Sequence, residues 1–121
     1  MLTLRRAWFL VGFIGIEILL LLTFILVPRL STFIYEDLLA HFICCFVVSL
    51  WFLLPIQNGA QRYQVLLCLL VLAWLTELLQ QYTPYHIFDW YDGVANTLGI
   101  VAATKLSKQS FFERLSLKIR A

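Results

Sequence analysis

Carboxyl, amide and imidazole groups stand at helix-compatible spacings in an otherwise apolar chain. Asp92, Asn96 and Gly99 follow one another at intervals of four and three residues, which places them on one face of a helix. Glu77 and Gln80 end the apolar run that comes before them. Because a charged group in an apolar membrane helix is costly unless a partner satisfies it, this set indicates either a ligand site or a polar network that joins helices.

The same chemistry occurs earlier in the chain. Asp37 and His41 are four residues apart, so they share a helix face. At about 1.5 Å per helical residue, His41, Glu77 and Asp92 are expected at one depth in a membrane, roughly 5–8 Å from its outer boundary. The candidate ligand-binding residues are Asp37, His41, Glu77, Gln80, His86, Asp89, Asp92 and Asn96. For Asp89 the alternative is a helix N-cap, which Asp commonly forms.

Three of these residues have the chemistry of metal ligands. Imidazole nitrogen and carboxylate oxygen bind divalent metals, so His41, Glu77 and Asp92 are the candidate ligands. A metal held there would activate water or polarise a phosphoryl group, and Glu77 would alternatively act as a general base. Their spacing is not specific for any metal, and the chain contains neither HExxH nor GxSxG. No cofactor is predicted beyond this divalent cation.

The composition places these groups in a membrane protein. Of the 121 residues, 62% are hydrophobic and 13% are charged, whereas average soluble chains are about 45–50% apolar and about 25% charged. A small soluble domain could not bury this much apolar surface, because its surface is large relative to its volume. We therefore expect lipid to cover the chain. The net charge of +2 is too small to indicate a nucleic-acid partner.

Four stretches are long and apolar enough to cross a bilayer as helices, which takes about 20 residues and at least about 17. They are predicted at residues 8–27, 38–54, 63–81 and 90–106. The predicted fold is thus an all-α membrane four-helix bundle of four transmembrane helices over residues 1–106. A basic tail over residues 107–121 follows it.

The basic residues predict the orientation of this bundle. Cytoplasmic loops are rich in Lys and Arg near the ends of membrane spans. Four spans put both termini on one side, and that side would carry eight basic residues while only Arg29 lies on the other. We therefore expect a multi-pass protein of the bacterial cytoplasmic (inner) membrane, with both termini cytoplasmic. The eight residues are Arg5, Arg6, Arg62, Lys105, Lys108, Arg114, Lys118 and Arg120.

The tail over residues 107–121 is too short and too polar to span a membrane. Its apolar residues fall on one helical face, while its basic residues lie elsewhere. This pattern is typical of an interfacial amphipathic helix on anionic lipid. A disordered basic tail is the alternative. The apolar face is Phe111, Phe112, Leu115 and Ile119.

Two further residues have predicted roles outside the candidate site. Glu17 is an intramembrane acid near the middle of the first span, and it should face the bundle and either be protonated or pair with a partner there. Gly99, with Ala95 and Ala103 four residues to either side, forms a ridge of small residues that favours close helix packing. The candidate partners of Glu17 are Ser49, Asn96 and Thr97.

Taken together, these spacings resemble those of the VanZ-like family of small bacterial membrane proteins. The resemblance covers residues 36–99 and joins an acid with a His four positions on, a Glu-x-x-Gln, a Pro, an Asp pair and an Asn-x-x-Gly. These residues are Asp37, His41, Glu77, Gln80, Pro84, Asp89, Asp92, Asn96 and Gly99. The resemblance implies an integral membrane protein, and the family takes its name from low-level resistance to the glycopeptide antibiotic teicoplanin.

Two positions depart from the pattern of that family. Leu38 stands where the family has Lys after the first Asp, and His86 stands where it has Arg two positions after the Pro. Both changes remove a fixed positive charge, and Arg is the preferred clamp for phosphate and carboxylate. Anion binding at the outer site is therefore weakened, with His86 as a partial substitute when its ring is protonated.

Three functions are compatible with the sequence. The first is binding or shielding of a cell-envelope amphiphile, such as an envelope lipid intermediate or a lipoglycopeptide, at an outward-facing acidic site, with a link to teicoplanin-type resistance. The second is a metal- or carboxylate-dependent membrane enzyme acting on a lipid-linked envelope substrate. The third is a proton or ion pathway, which would require a homo-oligomer because four spans form only a thin conduit. Membrane lipid is an expected partner in each case.

Overall fold

The computed structural model describes residues 3–25, 34–56, 58–80, 82 and 90–120, with side chains except at 22–25, 34–37, 80, 110–111 and 120. In these ranges the fold is all-α, as the sequence predicted, with no strand. The helices are α1 (Leu4–Ile25), α2 (Ile34–Leu53), α3 (Gly59–Gln80), α4 (Trp90–Leu106) and α5 (Ser110–Arg120).

Polar caps set where two of the helices begin. The Thr3 hydroxyl accepts a hydrogen bond from the Arg6 backbone N–H at 3.2 Å. Asn58 Oδ1 accepts the backbone N–H groups of Ala60 and Gln61 at 2.9 and 3.3 Å. These side chains satisfy N–H groups that have no acceptor within the first turn. Helices α1 and α3 therefore begin directly after the polar caps Thr3 and Asn58, ahead of the apolar runs that predicted them.

The first four helices alternate in direction. The start of α1 meets the end of α2 where Trp8 stacks on Trp51, and the start of α3 meets the end of α4 where Arg62 bonds to Ser107. We call this end of the bundle the basic end. Helix α2 contacts α1, α3 and α4, and α5 contacts α1.

Helix α1 is joined to α2 by a cluster of aromatic rings at the basic end. The rings of Trp8 and Trp51 stack with 3.8 Å between centroids. Each indole Nε1–H donates to the backbone carbonyl of the other tryptophan at 2.8 Å. Phe9 and Phe13 pack against Phe52 with centroids at 6.1 and 5.2 Å. Each part-buried indole N–H thus has an acceptor on the other tryptophan, as buried Trp side chains generally require.

The closest helix pair is α2 and α4, and small residues allow it. A Cβ atom built on Gly99 would lie 2.5 Å from the Phe42 carbonyl oxygen and 3.1 Å from the Phe46 nitrogen. Ala95 and Ala103, on the same face of α4, are buried as well. The two backbones therefore touch at Gly99, which is the packing expected of a small-residue ridge in a membrane bundle.

The tail forms helix α5, which packs on the bundle. Ile119 is 2% exposed and Ser116 is 4% exposed, so this face of α5 lies against protein. Leu117 points away and is exposed. The amphipathic pattern of the tail is thus realised as a helix whose buried face is covered by the chain itself.

Length and composition mark one described helix as able to cross a membrane, at Gly59–Leu79. The segment Leu38–Leu53 is apolar but shorter. Helix α4 has 17 residues, and α1 carries Arg5, Arg6 and Glu17. The four-span prediction is therefore supported by the structure only at the coarser level of an apolar helical chain.

Candidate functional site

Four polar side chains from three helices meet in the half of the bundle away from the basic end. His41 comes from α2, Glu77 from the last turn of α3, and Asp92 and Asn96 from the first turns of α4. We call these four residues the polar centre. Glu77 and Asp92 are each 1% exposed, and Asn96 is 5% exposed. The sequence predicted this grouping as an outer mouth, whereas these three side chains are buried.

His41 connects the two residues that α4 contributes to the polar centre, Asp92 and Asn96. Its Nδ1 lies 3.1 Å from Asn96 Oδ1, and its Nε2 lies 3.6 Å from Asp92 Oδ2. Because an amide oxygen only accepts, this arrangement has the proton on Nδ1. The other ring nitrogen, Nε2, faces the Asp92 carboxylate, so one imidazole lies between the amide and the carboxyl group of α4.

The third helix brings a second carboxyl group to the same point. Ligand atoms of His41, Glu77 and Asp92 all lie within 4.8 Å of one another. Three ligands bound about 2.1 Å from one small divalent ion in tetrahedral geometry lie about 3.4 Å apart. To hold such an ion, these three groups would have to draw together, by up to about 1.4 Å for a pair at the 4.8 Å limit.

Helix α3 is held against α4 by a tryptophan one turn before Glu77. Trp74 Nε1 donates to the Thr97 hydroxyl at 3.1 Å, and that hydroxyl donates to the Gly93 carbonyl at 2.9 Å. A Cβ atom on Gly93 would collide with the Trp74 ring, so the indole rests directly on the α4 backbone. This contact fixes the position of Glu77 relative to Asp92, and only the pairing of Trp with a small residue hinted at it in the sequence.

The polar centre opens into a cavity of about 120 Å³ between α1, α2, α3 and α4. His41, Glu77 and Asn96 form one part of its wall. The rest is largely apolar, with contributions from each helix. The apolar residues include Ile16, Leu19, Val48, Leu69, Leu72 and Ile100. A single space thus has a polar wall and an apolar wall.

Ser49 is a cavity residue that the sequence reasoning did not place in the site. It lines this cavity, is 1% exposed, and its Oγ has no hydrogen-bond partner among the described residues. A buried hydroxyl without a partner costs about 1–3 kcal/mol. A polar group bound in the cavity could therefore form a hydrogen bond with the Ser49 hydroxyl.

Glu17 differs from its prediction. We expected this side chain to face the bundle, but it is exposed on α1. Its neighbours Ile16 and Leu19 line the cavity. Because successive residues of a helix are about 100° apart around its axis, Glu17 points away from the cavity. It therefore does not join the polar centre, and a continuous polar path from Glu17 to His41 is not formed by the described residues.

The remaining candidate residues lie outside the described part of the chain. These are His86 and Asp89 in the connection before α4, and the side chains of Asp37 and Gln80 in α2 and α3. Their proposed place at the site stays a prediction. The polar centre is thus formed by four of the eight candidates, His41, Glu77, Asp92 and Asn96.

No protein-family model, no curated protein and no solved structure matches this chain. The resemblance to the VanZ-like family therefore stays a prediction that rests on residue spacing. Four of the residues that carry that resemblance, His41, Glu77, Asp92 and Asn96, are the polar centre.

Proposed function

We propose that α1 to α4 span the bacterial cytoplasmic membrane and that the polar centre binds the polar group of a cell-envelope amphiphile. Support for the membrane comes from the exposed surface. Each of the four helices exposes several large apolar side chains, whereas a soluble monomer exposes such residues mostly singly. Examples are Leu10, Phe13, Ile43, Val47, Val71, Leu75, Val94 and Leu98.

The distribution of charge supports both termini in the cytoplasm. The described basic residues stand at the start of α1, the start of α3, the end of α4 and in α5, all on helix ends that meet at the basic end. The polar centre lies towards the opposite end. By the preference of Lys and Arg for the cytoplasmic side, the basic end faces the cytoplasm and the polar centre faces outward.

The observation that carries amphiphile binding is the composition of the cavity wall. His41, Glu77 and Asn96 line the same space as apolar residues of α1, α2 and α3. A ligand with a polar group and an adjoining apolar segment matches such a wall, whereas a fully polar solute would leave the apolar part in contact with water or with nothing. The cavity holds a short segment of the ligand, and the rest of its chain lies along the exposed apolar surface.

The charges of the centre restrict the polar group. Two buried carboxyl groups, on Glu77 and Asp92, stand in a centre whose described residues include no Arg or Lys. Such a centre favours hydroxyl, amide or ammonium groups that donate hydrogen bonds, and it disfavours phosphate. The proposed ligand is therefore an envelope lipid intermediate or lipoglycopeptide bound through a donor-rich part of its head group.

Native mass spectrometry of the gently extracted protein tests this proposal. We expect an additional lipid-like mass on the wild type, weaker occupancy in Glu77→Gln and loss in Glu77→Leu. Thr76→Val is the matched control, because the Thr76 hydroxyl lines the same cavity yet donates to the Leu72 carbonyl of its own helix at 2.7 Å. Ligand-free spectra for an equally folded wild type would refute the proposal.

A second candidate is a metal-dependent enzyme acting on a lipid-linked envelope substrate. The specific observation in its favour is the convergence of His41, Glu77 and Asp92 ligand atoms within 4.8 Å. A divalent ion held there would polarise an ester or phosphoryl oxygen and activate a water. Metal analysis of protein stripped with EDTA and reloaded with Zn²⁺ or Mn²⁺ tests it, since one ion per chain is expected in the wild type and none in Glu77→Gln.

The link to teicoplanin resistance is a proposal from the family resemblance alone. We expect expression in a susceptible host to raise the inhibitory concentration of teicoplanin, and Asp92→Asn to abolish the increase at equal membrane abundance. Equal inhibitory concentrations with and without the protein would remove this part of the proposal and leave amphiphile binding to be judged by mass spectrometry.

A further inference from the structure

A second, larger cavity lies at the basic end, remote from the polar centre. Its volume is about 620 Å³, within the range of small-molecule sites. It is lined by residues that follow the end of α2, by the start of α3, by the end of α4 and by helix α5. Its polar lining residues are Arg62, Tyr63, Thr104, Ser107, Lys108, Glu113 and Ser116.

Arg62 gives this cavity a fixed positive wall. One guanidinium nitrogen, Nη1, donates to the Leu53 and Ile56 carbonyls at 3.2 and 2.8 Å, and Nη2 donates to the Ser107 hydroxyl. These bonds use three of the five N–H donors of arginine. An arginine in the first turn of a helix is electrostatically unfavourable, so these contacts hold it in place. The unused donors remain for an anion in the cavity that Arg62 lines.

Ser116 is the observation that points to a ligand. It lines the cavity from α5, is 4% exposed, and its Oγ has no hydrogen-bond partner among the residues the structure describes. Folding has therefore buried a hydroxyl donor at a cost that only a bound acceptor would recover. The neighbouring Ser107 hydroxyl, by contrast, accepts from Arg62 and donates to the Thr104 carbonyl at 2.8 Å.

The charges around the cavity select an anion. Arg62 and Lys108 supply two positive charges and Glu113 supplies one negative charge, and Leu54 and Leu66 add apolar wall. Phosphate accepts several hydrogen bonds at once, so it suits a guanidinium, an ammonium and a hydroxyl that line one cavity. The basic end also carries the other basic residues of the described chain, which raises the local concentration of anions.

We propose that the basic-end cavity binds a phosphate group, and that its source is the phosphodiester of an anionic phospholipid of the cytoplasmic leaflet. Arg62, Lys108 and Ser116 contact the phosphate oxygens, and the apolar wall receives the start of an acyl chain. This site does not involve His41 or Glu77, so it is independent of the ligand of the polar centre.

Native mass spectrometry titrations of the full-length protein in detergent test the site with three probes. These are dioleoylphosphatidylglycerol, the phosphate-free dioleoylglycerol, and inorganic phosphate. Lys108→Ala and Lys118→Ala form a matched pair, because both remove one exposed lysine at the basic end and only Lys108 lines the cavity. We expect Lys108→Ala to weaken phosphatidylglycerol binding about fivefold and Lys118→Ala to leave it unchanged within about twofold.

Ser116→Ala separates ligand binding from folding. Because its hydroxyl has no partner, we expect the ligand-free variant to be at least as stable as the wild type, while its affinity for phosphatidylglycerol falls about fivefold. A loss of stability without a loss of affinity would refute the role of Ser116 as a ligand group.

The three probes distinguish the source of the phosphate. Inorganic phosphate that binds with the same dependence on Lys108, and displaces phosphatidylglycerol, would support phosphate recognition with a soluble source. Equal binding of dioleoylglycerol and phosphatidylglycerol would overturn the proposal, because the phosphate would then contribute nothing. Equal losses in Lys108→Ala and Lys118→Ala would overturn it as well, because general surface charge would explain the binding.

Discussion

His41 and Asp92 face each other across the interface of α2 and α4, with 3.6 Å between Nε2 and Oδ2. We predict that His41→Gln and Asp92→Asn each lower the free energy of unfolding by about 1–3 kcal/mol, because each leaves a buried polar group poorly matched. The double variant should show a coupling of about 0.5–3 kcal/mol. Thermal unfolding in detergent, followed by circular dichroism, measures all three variants.

The control for that coupling is on α4 as well. Thr104 Oγ1 donates to the Ile100 carbonyl of its own helix at 2.9 Å, so Thr104→Val removes a local bond with no link to His41. The losses from Thr104→Val and His41→Gln should simply add. Additive losses for the pair of His41 and Asp92 would show that the two groups do not interact.

Gly99→Ala is predicted to destabilise the bundle by about 1–3 kcal/mol, because the new methyl group meets the α2 backbone, which cannot rotate away. The matched control is Gly15→Ala in α1, where a Cβ atom has nothing within 4 Å. There the exchange should stabilise by about 0.5–1 kcal/mol through helix propensity. Thermal midpoints that shift in the same direction for both variants would contradict the close approach at Gly99.

Trp8→Phe is predicted to lower the free energy of unfolding by about 1–3 kcal/mol, since it leaves the part-buried Trp51 carbonyl without its indole donor. Trp90→Phe is the comparison, because Trp90 is 68% exposed and should tolerate the change. Near-ultraviolet circular dichroism should lose the signal of the stacked indoles in Trp8→Phe alone. An unchanged spectrum in that variant would argue against the stack.

The proposed topology predicts that fluorescent protein fused after Ala121 is bright and that alkaline phosphatase fused there is inactive. A fusion of phosphatase in the connection between α3 and α4, after Tyr82, should be active because this connection is expected outside. The two reporters depend on opposite compartments, so they check each other. Phosphatase activity at Ala121 would contradict the proposed topology, because it would require either the opposite orientation or a different number of spans.

Hydropathy predicted the existence of the helices well because lipid-like side chains dominate each of them. The span predicted at residues 90–106 coincides with α4 (Trp90–Leu106), whereas α3 begins at Gly59 rather than at residue 63. The difference arises because a helix continues into polar residues once Asn58 caps it, while hydropathy registers only the apolar part.

The sequence predicted the level of the candidate site along the helices, but not which face of each helix packs on the bundle. Counting residues from the helix ends placed His41, Glu77 and Asp92 at one level, and the structure brings them together. Glu17 shows where counting fails, because its expected orientation required knowing which face of α1 packs on the bundle. That face is selected by Trp8, Phe9 and their partners on α2, and such long-range ring packing leaves no periodic signal in a helix whose central turns are mostly apolar on every side.

The stacked pair of Trp8 and Trp51 also fixes one end of α1 on α2. From Trp8 to Leu20 the helix is a lever about 18 Å long, so a tilt of about 10° around the stacked indoles moves Leu20 by about 3 Å. Leu20 belongs to the wall of the smaller cavity, and the tight pair of α2 and α4 is untouched by such a tilt. A tilt of this size would widen or narrow the smaller cavity beside the polar centre, while the residues of that centre keep their positions.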